Sequence, residues 1–169
     1  MDLEPRFTEE EIAKAVSRVA GEISANHRDT NPLLVGILIG SFVFLSDLVR
    51  QLDVPVEIDF IRARSYGGGM KSSGAVEITK DIEHDVTDRS VIIVEDILDS
   101  GLTLRFVGDR IRAGGPASVE TCSLLVRECA EPPDYMGLWI PKGFVVGYGI
   151  DYAERHRELR DIRTVPGTS

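Results

Sequence analysis

Three short apolar runs decide what this chain can fold into. They are LLVGILI at 33–39, SVIIV at 90–94 and VETCSLLV at 119–126. A strand wetted on one face alternates apolar and polar residues, whereas a continuous apolar strand is covered on both faces. Helical spacing follows the first two runs. After the break at Gly40-Ser41, residues Phe42, Leu45, Leu48, Val49 and Leu52 recur on one helical face until Asp53-Val54-Pro55 stops them. After the second run, a helix is predicted over about 103–113, ended by Gly114-Gly115-Pro116. Strand, helix and strand thus alternate twice through short connections. The prediction is an α/β chain with a twisted, mainly parallel sheet and helices on both faces.

The remaining segments fit around that frame. Thr8-Glu9-Glu10-Glu11 has the Ser/Thr-x-x-Glu pattern of a capping box and opens an amphipathic helix over about 9–26. Residues 56–62 alternate like a strand with one wetter face, 76–82 suit a short strand, and 144–148 another. The stretch SYGGGMKSSG at 65–74 has four glycines in ten residues and no periodicity, so a mobile loop is expected. The charged tail from Asp151 is read as irregular or partly helical. With 169 residues and no linker or repeat, one domain is expected over 1–169. Cys122 and Cys129 are too few for a disulfide framework and suit a buried thiol and a loop thiol. His27, His84 and His156 have no metal-ligand spacing and are read as surface or packing residues. Against 19 Lys and Arg stand 28 Asp and Glu, and a formal charge of -9 opposes non-specific nucleic-acid binding. There is no apolar leader, and no apolar stretch reaches membrane-spanning length, so a soluble cytoplasmic protein is expected.

The chemistry gathers behind the second apolar run. Ligands of open parallel sheets bind beyond the carboxyl ends of the strands. There the chain places Glu95 and Asp96, then Asp99-Ser100-Gly101-Leu102-Thr103 before a helix. N–H groups and hydroxyls at a helix N-terminus can seat a phosphate, and Gly101 allows close backbone approach. Adjacent carboxylates suit Mg2+ or sugar hydroxyls, both of which want hard oxygen acceptors. The same residues would also make a plain tight turn with Asp99 or Ser100 as a helix cap. Two other phosphate motifs are excluded. In Gly67-Gly68-Gly69-Met70-Lys71, Met70 separates glycine from lysine, so this is no P-loop, and no strand is followed by G-x-G-x-x-G.

Together these residues resemble a known family. VIIVEDILDSGLT at 91–103 is similar to the phosphoribosyl diphosphate (PRPP) motif of type I phosphoribosyltransferases. GILIGSF at 36–42, FIRARSY at 60–66, and IPKGFVVGYGID at 140–151 with Arg157 after it extend the resemblance over about 33–165. The last segment resembles the hypoxanthine(-guanine) phosphoribosyltransferases, which act on 6-oxopurines. The resemblance implies a parallel sheet covered by a small hood from about 1–30 and 128–169. It implies that Glu95 and Asp96 hold the ribose hydroxyls and Mg2+, and that Asp151 holds a second Mg2+ or its water shell. Asp99 would accept the proton of purine N7. Ser100, Gly101, Leu102 and Thr103 would cradle the 5'-phosphate. Phe144 would stack on the base, the Val145 backbone would read its edge, and Arg157 would bind pyrophosphate. Ser65 and Tyr66 with the Gly67–Gly69 hinge would form a closing loop. Partners would be PRPP, a purine base and pyrophosphate, with the chain a homodimer or homotetramer.

Two positions depart from the family pattern. Ile39 stands where the family usually has lysine, beside Gly40, whose neighbourhood contacts pyrophosphate through backbone that often includes a cis peptide. Arg127 stands where the family has lysine bonded to the purine 6-oxo group. Arginine still donates there, but its planar fork is not equivalent to an ammonium. The expected activity is transfer of the phosphoribosyl group to hypoxanthine, with guanine second. The rivals are a PRPP-binding regulator without turnover and a transferase for another base such as xanthine.

Overall fold

The computed structural model describes residues 3–65, 76–127 and 131–167. In chain order the described elements are β1 (Glu4–Phe7), α1 (Glu9–Asn26), β2 (Leu33–Leu38), α2 (Phe42–Val49), β3 (Glu57–Ser65), β4 (Val76–Lys80), β5 (Ser90–Leu98), α3 (Leu102–Arg112), β6 (Ser118–Val126), β7 (Tyr135–Trp139), β8 (Val145–Val146) and β9 (Ile162–Thr164). The main sheet has six strands in the order β4-β3-β2-β5-β6-β7. All neighbours in it are parallel except β3 and β4. The three-layer α/β architecture predicted from the apolar runs is therefore present.

Alternation across the strands builds the two cores. Leu34, Ile92, Val94 and Leu124 point to one face, where they pack with Ile12, Val16, Val19 and Ile23 of α1 and Phe44, Leu45 and Leu48 of α2. Leu33, Val35, Val91 and Ile93 point to the other, against Leu104, Val107 and Ile111 of α3. This is the period-two geometry of a strand buried on both sides. At Gly36 a Cβ would lie 2.8 Å from a Leu45 methyl carbon and 3.0 Å from the Phe60 ring, so glycine lets α2 settle onto the sheet. Helix α1 starts as its sequence specifies. Thr8 Oγ1 accepts from the Glu11 N–H at 3.2 Å, and the Glu11 carboxylate accepts from the Thr8 N–H at 2.8 Å.

Several elements differ from the sequence expectation. β5 runs on to Leu98 rather than ending at Val94, so Glu95 and Asp96 belong to the strand. β7 adds a strand to the main sheet directly after Pro132-Pro133-Asp134, in a segment without a strand signal in the sequence. The charged tail is not wholly irregular, because β9 pairs with β1 and β8 in a second, three-stranded sheet. That small sheet uses less of the chain than 1–30 and 128–169. α1 packs on the main core, and β7 is a main-sheet strand. Cys122 is a buried free thiol, as expected of one of the pair, and Cys129 lies outside the described residues. His27 is buried, with Nε2 2.6 Å from Glu120 Oε2, and is a packing residue of the kind predicted.

The inner half of β3 is held by a polar cluster. Asp59 is buried and accepts from the N–H groups of Phe60, Glu83 and His84 and from His84 Nδ1. Burial pushes the Asp59 carboxyl up, but the hydrogen bonds from His84, Glu83 and Phe60 outweigh it and hold the group at about 2. A carboxyl depressed by folding stabilises the native state above its unfolded value and loses that contribution as the pH falls towards the folded value. Asp59→Asn should therefore cost about 1–3 kcal/mol at pH 7. In urea titrations of both proteins, the gap should narrow between pH 4 and pH 3. A gap of constant size would show that the carboxylate charge is not what stabilises this cluster.

Candidate active site

The site follows from how β2 and β5 leave each other. Their pairing runs from Leu33↔Val91 to Gly36↔Val94 and then stops. The chain leaves β2 for α2 on one face and leaves β5 for α3 on the other. Strand order reverses between these two neighbours, since β2 leads outward to β3 and β5 leads outward to β6. Such a switch point opens a crevice at the carboxyl ends, where α/β proteins hold ligands.

Two carboxylates stand in that crevice. Glu95 is only 8% exposed, and its Oε2 is buried without a hydrogen-bond partner. Burial, with the charge of Asp96 adding to it, pushes the Glu95 carboxyl up to about 8. Burial also pushes Asp96 up, to about 6. Backbone N–H groups of Ile97 and Asp96 and the charge of Arg157 pull the other way, and Asp151 adds to the rise. An unpartnered buried carboxylate is expensive, and natural sites keep one only for a ligand or for chemistry.

Asp96 meets the end of β2 in a tight joint. A Cβ on Gly40 would lie 1.9 Å from Asp96 Oδ2. Gly149, at φ +94°, brings the loop after β8 to the same point, where a Cβ would lie 2.6 Å from the Gly40 carbonyl oxygen. The Leu38–Ile39 peptide is cis. Ser41 is fully buried, and its Oγ donates to the Ile37 carbonyl at 2.7 Å. Segments around residues 40, 96 and 150 are thus fixed against one another.

The loop after β5 turns directly into α3. Gly101 is the N-cap of α3 at φ +75°, a left-handed conformation that favours glycine. The Leu102 N–H donates to Ser100 Oγ at 3.3 Å. Asp99 is exposed at the mouth of this loop, with Oδ1 3.4 Å from Arg127 Nε. Arg127 Nη1 donates to the Pro141 carbonyl at 3.0 Å, which ties the end of β6 to the loop carrying Phe144. Asp99, Arg127, Pro141 and Lys142 line a cavity of about 620 Å³. Phe144 is 55% exposed and meets Tyr152 edge-on at 5.9 Å. Val145 is buried and pairs with Thr164 in the small sheet.

Asp151 and Arg157 meet directly, with Nη2 2.7 Å from Oδ1. Arg157 Nη1 also donates to the Gly149 carbonyl at 2.8 Å. Ser65 ends β3, while Tyr66 and the glycine hinge after it lie outside the described residues. The roles of Gly149, Pro141 and Lys142 were not singled out from the sequence. Gly149 lies inside a motif already quoted, and its positive φ is the trait that a glycine between two apolar residues could have signalled.

A switch-point crevice with Glu95 buried and Asp96 half-buried, a turn into α3 at Gly101, and an exposed Phe144 on the loop that Arg127 ties down define an α/β protein with a ligand crevice at the carboxyl ends of its strands. Comparison with known proteins narrows the class. Residues 7–153 match the phosphoribosyl transferase domain family, and the chain belongs to it. The chain is 43% identical to hypoxanthine phosphoribosyltransferase of Haemophilus influenzae, over 94% of its own length and 93% of the relative's. It is 41% identical to hypoxanthine-guanine phosphoribosyltransferase of Bacillus subtilis, over 90% and 87%. A crystal structure of hypoxanthine phosphoribosyltransferase from Staphylococcus aureus superposes with a TM-score of 0.91 at 36% identity, covering 96% of this chain and 90% of that one.

The Gly40 joint gives a direct test. Gly40→Ala would drive a methyl group into Asp96 Oδ2, since the added carbon would lie 1.9 Å away. Displacing a positioned group by about 1 Å can cost about 10^2 in rate. Phosphoribosyl transfer by the alanine variant should fall by about that factor, with the thermal transition retained. Transfer at the wild-type rate would mean that Asp96 is not held by Gly40.

Proposed function

We propose that this chain transfers the 5-phosphoribosyl group of PRPP to hypoxanthine, and to guanine second, releasing pyrophosphate and forming IMP or GMP in purine salvage. The observation that carries the proposal is the juxtaposition of the Glu95–Asp96 pair with the anion seat at residues 99–103, in a chain similar along nearly its whole length to enzymes so named. In this reading the backbone and hydroxyls of Ser100, Gly101, Leu102 and Thr103 bind the 5'-phosphate at the α3 N-terminus. Glu95 and Asp96 accept from the ribose hydroxyls. Phe144 stacks on the base, the Val145 backbone reads its edge, and Arg127 donates to the 6-oxo group. The backbone at Ile39 and Gly40 and the side chain of Arg157 meet the pyrophosphate. The small sheet of β1, β9 and β8 carries the base-facing residues as a hood on a single 1–169 unit.

The reaction breaks the bond between the anomeric carbon and pyrophosphate, building positive charge on the sugar and negative charge on the leaving group. Asp99 stands at the mouth of the cavity and takes the N7 proton as N9 attacks. Ser65 and Tyr66 would shield the charged sugar from water. A divalent cation, with Mg2+ the proposed one, fits the donor set. Glu95 Oε2 is buried and unpartnered, and carboxylate oxygen is the ligand hard cations prefer. Among the described residues no three His, Cys, Asp or Glu side chains converge on one point. Such an ion would therefore rest on one or two carboxylates and on the diphosphate itself. Glu95 and Asp96 are its proposed holders, with Asp151 the proposed holder of a second ion or its water shell, and when bound it would neutralise charge on the leaving group. Among the described residues no helix is long and apolar enough to cross a membrane. A cytoplasmic homodimer or homotetramer is the proposed setting.

The test is a base panel of hypoxanthine, guanine, xanthine, adenine and uracil with PRPP and Mg2+, following nucleotide formation. Product with hypoxanthine is expected, and product with no base would favour a PRPP-binding regulator. Asp99→Asn should slow turnover by about 10^2 or more while PRPP still binds, because general-base help is typically worth that much. Unchanged turnover would remove Asp99 from the proton-accepting role.

A further inference from the structure

Left-handed backbone concentrates in one stretch after β8. Among the described residues, Tyr148, Ala153, Glu154 and His156 all have positive φ without being glycine. Tyr148 is the bulkiest of them, at φ +53° between Gly147 at +100° and Gly149 at +94°. A large side chain takes that conformation only where its surroundings over-determine it, and such residues gather at functional sites. Tyr148 is gripped from two sides. Its N–H donates to the Leu159 carbonyl at 2.8 Å, and around it the Gly147 and Ile150 N–H groups each donate to the other's carbonyl, at 2.9 and 3.0 Å. Its side chain is buried, and the hydroxyl donates to Asp47 Oδ2 on α2. Burial first, and the bond to Asp47 after it, push the phenol above its usual value, so the hydroxyl stays a donor. Asp47 is itself braced by Arg50 on the same helix.

The two ends of this turn are held by different means. On the side of Phe144 and Val145 the small sheet holds the chain without Tyr148. Val145 and Val146 pair with Thr164 and Arg163 of β9, and the Val165 N–H donates to the Phe144 carbonyl at 2.9 Å. Past Val146 that ladder ends, and Gly149 packs on the Gly40 carbonyl. Arg157 hangs on the same turn, because its Nη1 donates to the Gly149 carbonyl and its own carbonyl accepts from the Gly149 N–H. Gly40 leads directly into α2, the helix that carries Asp47. The Tyr148 hydroxyl and the Gly149 backbone thus fix the turn against one continuous piece of chain. We propose that Tyr148, through its hydroxyl and Asp47, is a positioning residue for the diphosphate end of the substrate, holding the turn at 147–150 against Gly40 while the base end is positioned without it. The inference rests on the proposed roles of the Ile39–Gly40 backbone and Arg157 towards pyrophosphate.

The test compares the full wild-type chain with Tyr148→Phe, Asp47→Ala, Asp47→Asn and the Tyr148→Phe/Asp47→Ala double variant. PRPP binding in the presence of Mg2+ is measured by calorimetry, and the KM values for PRPP and hypoxanthine by nucleotide formation. Tyr148→Phe and Asp47→Ala should each weaken PRPP binding and raise its KM by about tenfold, as loss of a directly bonded pair can, while the KM for hypoxanthine moves by less than about twofold, as for an unconnected site. The double variant should be no worse than either single one, because both remove the same bond. Asp47→Asn keeps an oxygen that accepts from the phenol and should recover most of the loss. A Tyr148 that only supports the fold predicts a lower thermal transition with both KM values unchanged or raised together, and either result overturns the proposal. Losses that multiply in the double variant, or an Asp47→Asn as impaired as Asp47→Ala, overturn it as well. Should Tyr148→Phe not fold, the two Asp47 variants carry the same comparison. A wild-type chain that binds PRPP but forms no nucleotide with any base faults the functional proposal, and the calorimetric comparison still decides this one. A wild-type chain that binds no PRPP overturns both.

Discussion

Everything in the site depends on two neighbouring parallel strands that part company. β2 and β5 pair for four residues and then diverge, because their helices pack on opposite faces of the sheet. A crevice at that place is a topological necessity and needs no dedicated pocket-forming element. The sheet itself supplies what lines it. Glu95 and Asp96 are strand residues, so their positions are set by the β5 ladder and not by a loop. That support is what lets a carboxylate remain buried, unpaired and raised in pKa without pulling the local structure towards water.

The acidity of the chain takes on a different meaning in this setting. A formal charge of -9 argues against a nucleic-acid surface but says little about a crevice whose own charges are mixed. Arg127 stands by Asp99 and Arg157 by Asp151. The α3 N-terminus adds the partial positive charge of aligned peptide dipoles. Local pairing, not the net balance, sets the field inside the crevice.

Much of this was legible in the sequence, and for identifiable reasons. The runs at 33–39, 90–94 and 119–126 had to be two-sided strands, and the segment 95–103 carried its chemistry in one contiguous stretch. What escaped was either short or brought together only by folding. β1 and β9 have four and three residues, too few for a periodic signal, and each is stabilised by the other. β7 follows two prolines, whose turn character masked it. The extension of β5 to Leu98 was hidden because charge at residues 95 and 96 ended the apolar pattern before the ladder ended. The Gly40–Asp96–Gly149 joint involves residues over fifty positions apart, and no local pattern announces it. Arg127 was singled out from sequence as a departure, but its grip on the Pro141 carbonyl is a tertiary fact.

That joint also bears on how such a chain can change over time. Two of its three members have no room for even one added carbon, so neither can be replaced without a compensating shift in the others. The half of the cleft at the ends of β2 and β5 is consequently locked by its neighbours. The cavity walls at Arg127, Pro141 and Lys142 include no glycine packed against a neighbour. Substitution can proceed there while the joint stays as it is. One rigid frame can thus carry a changeable rim.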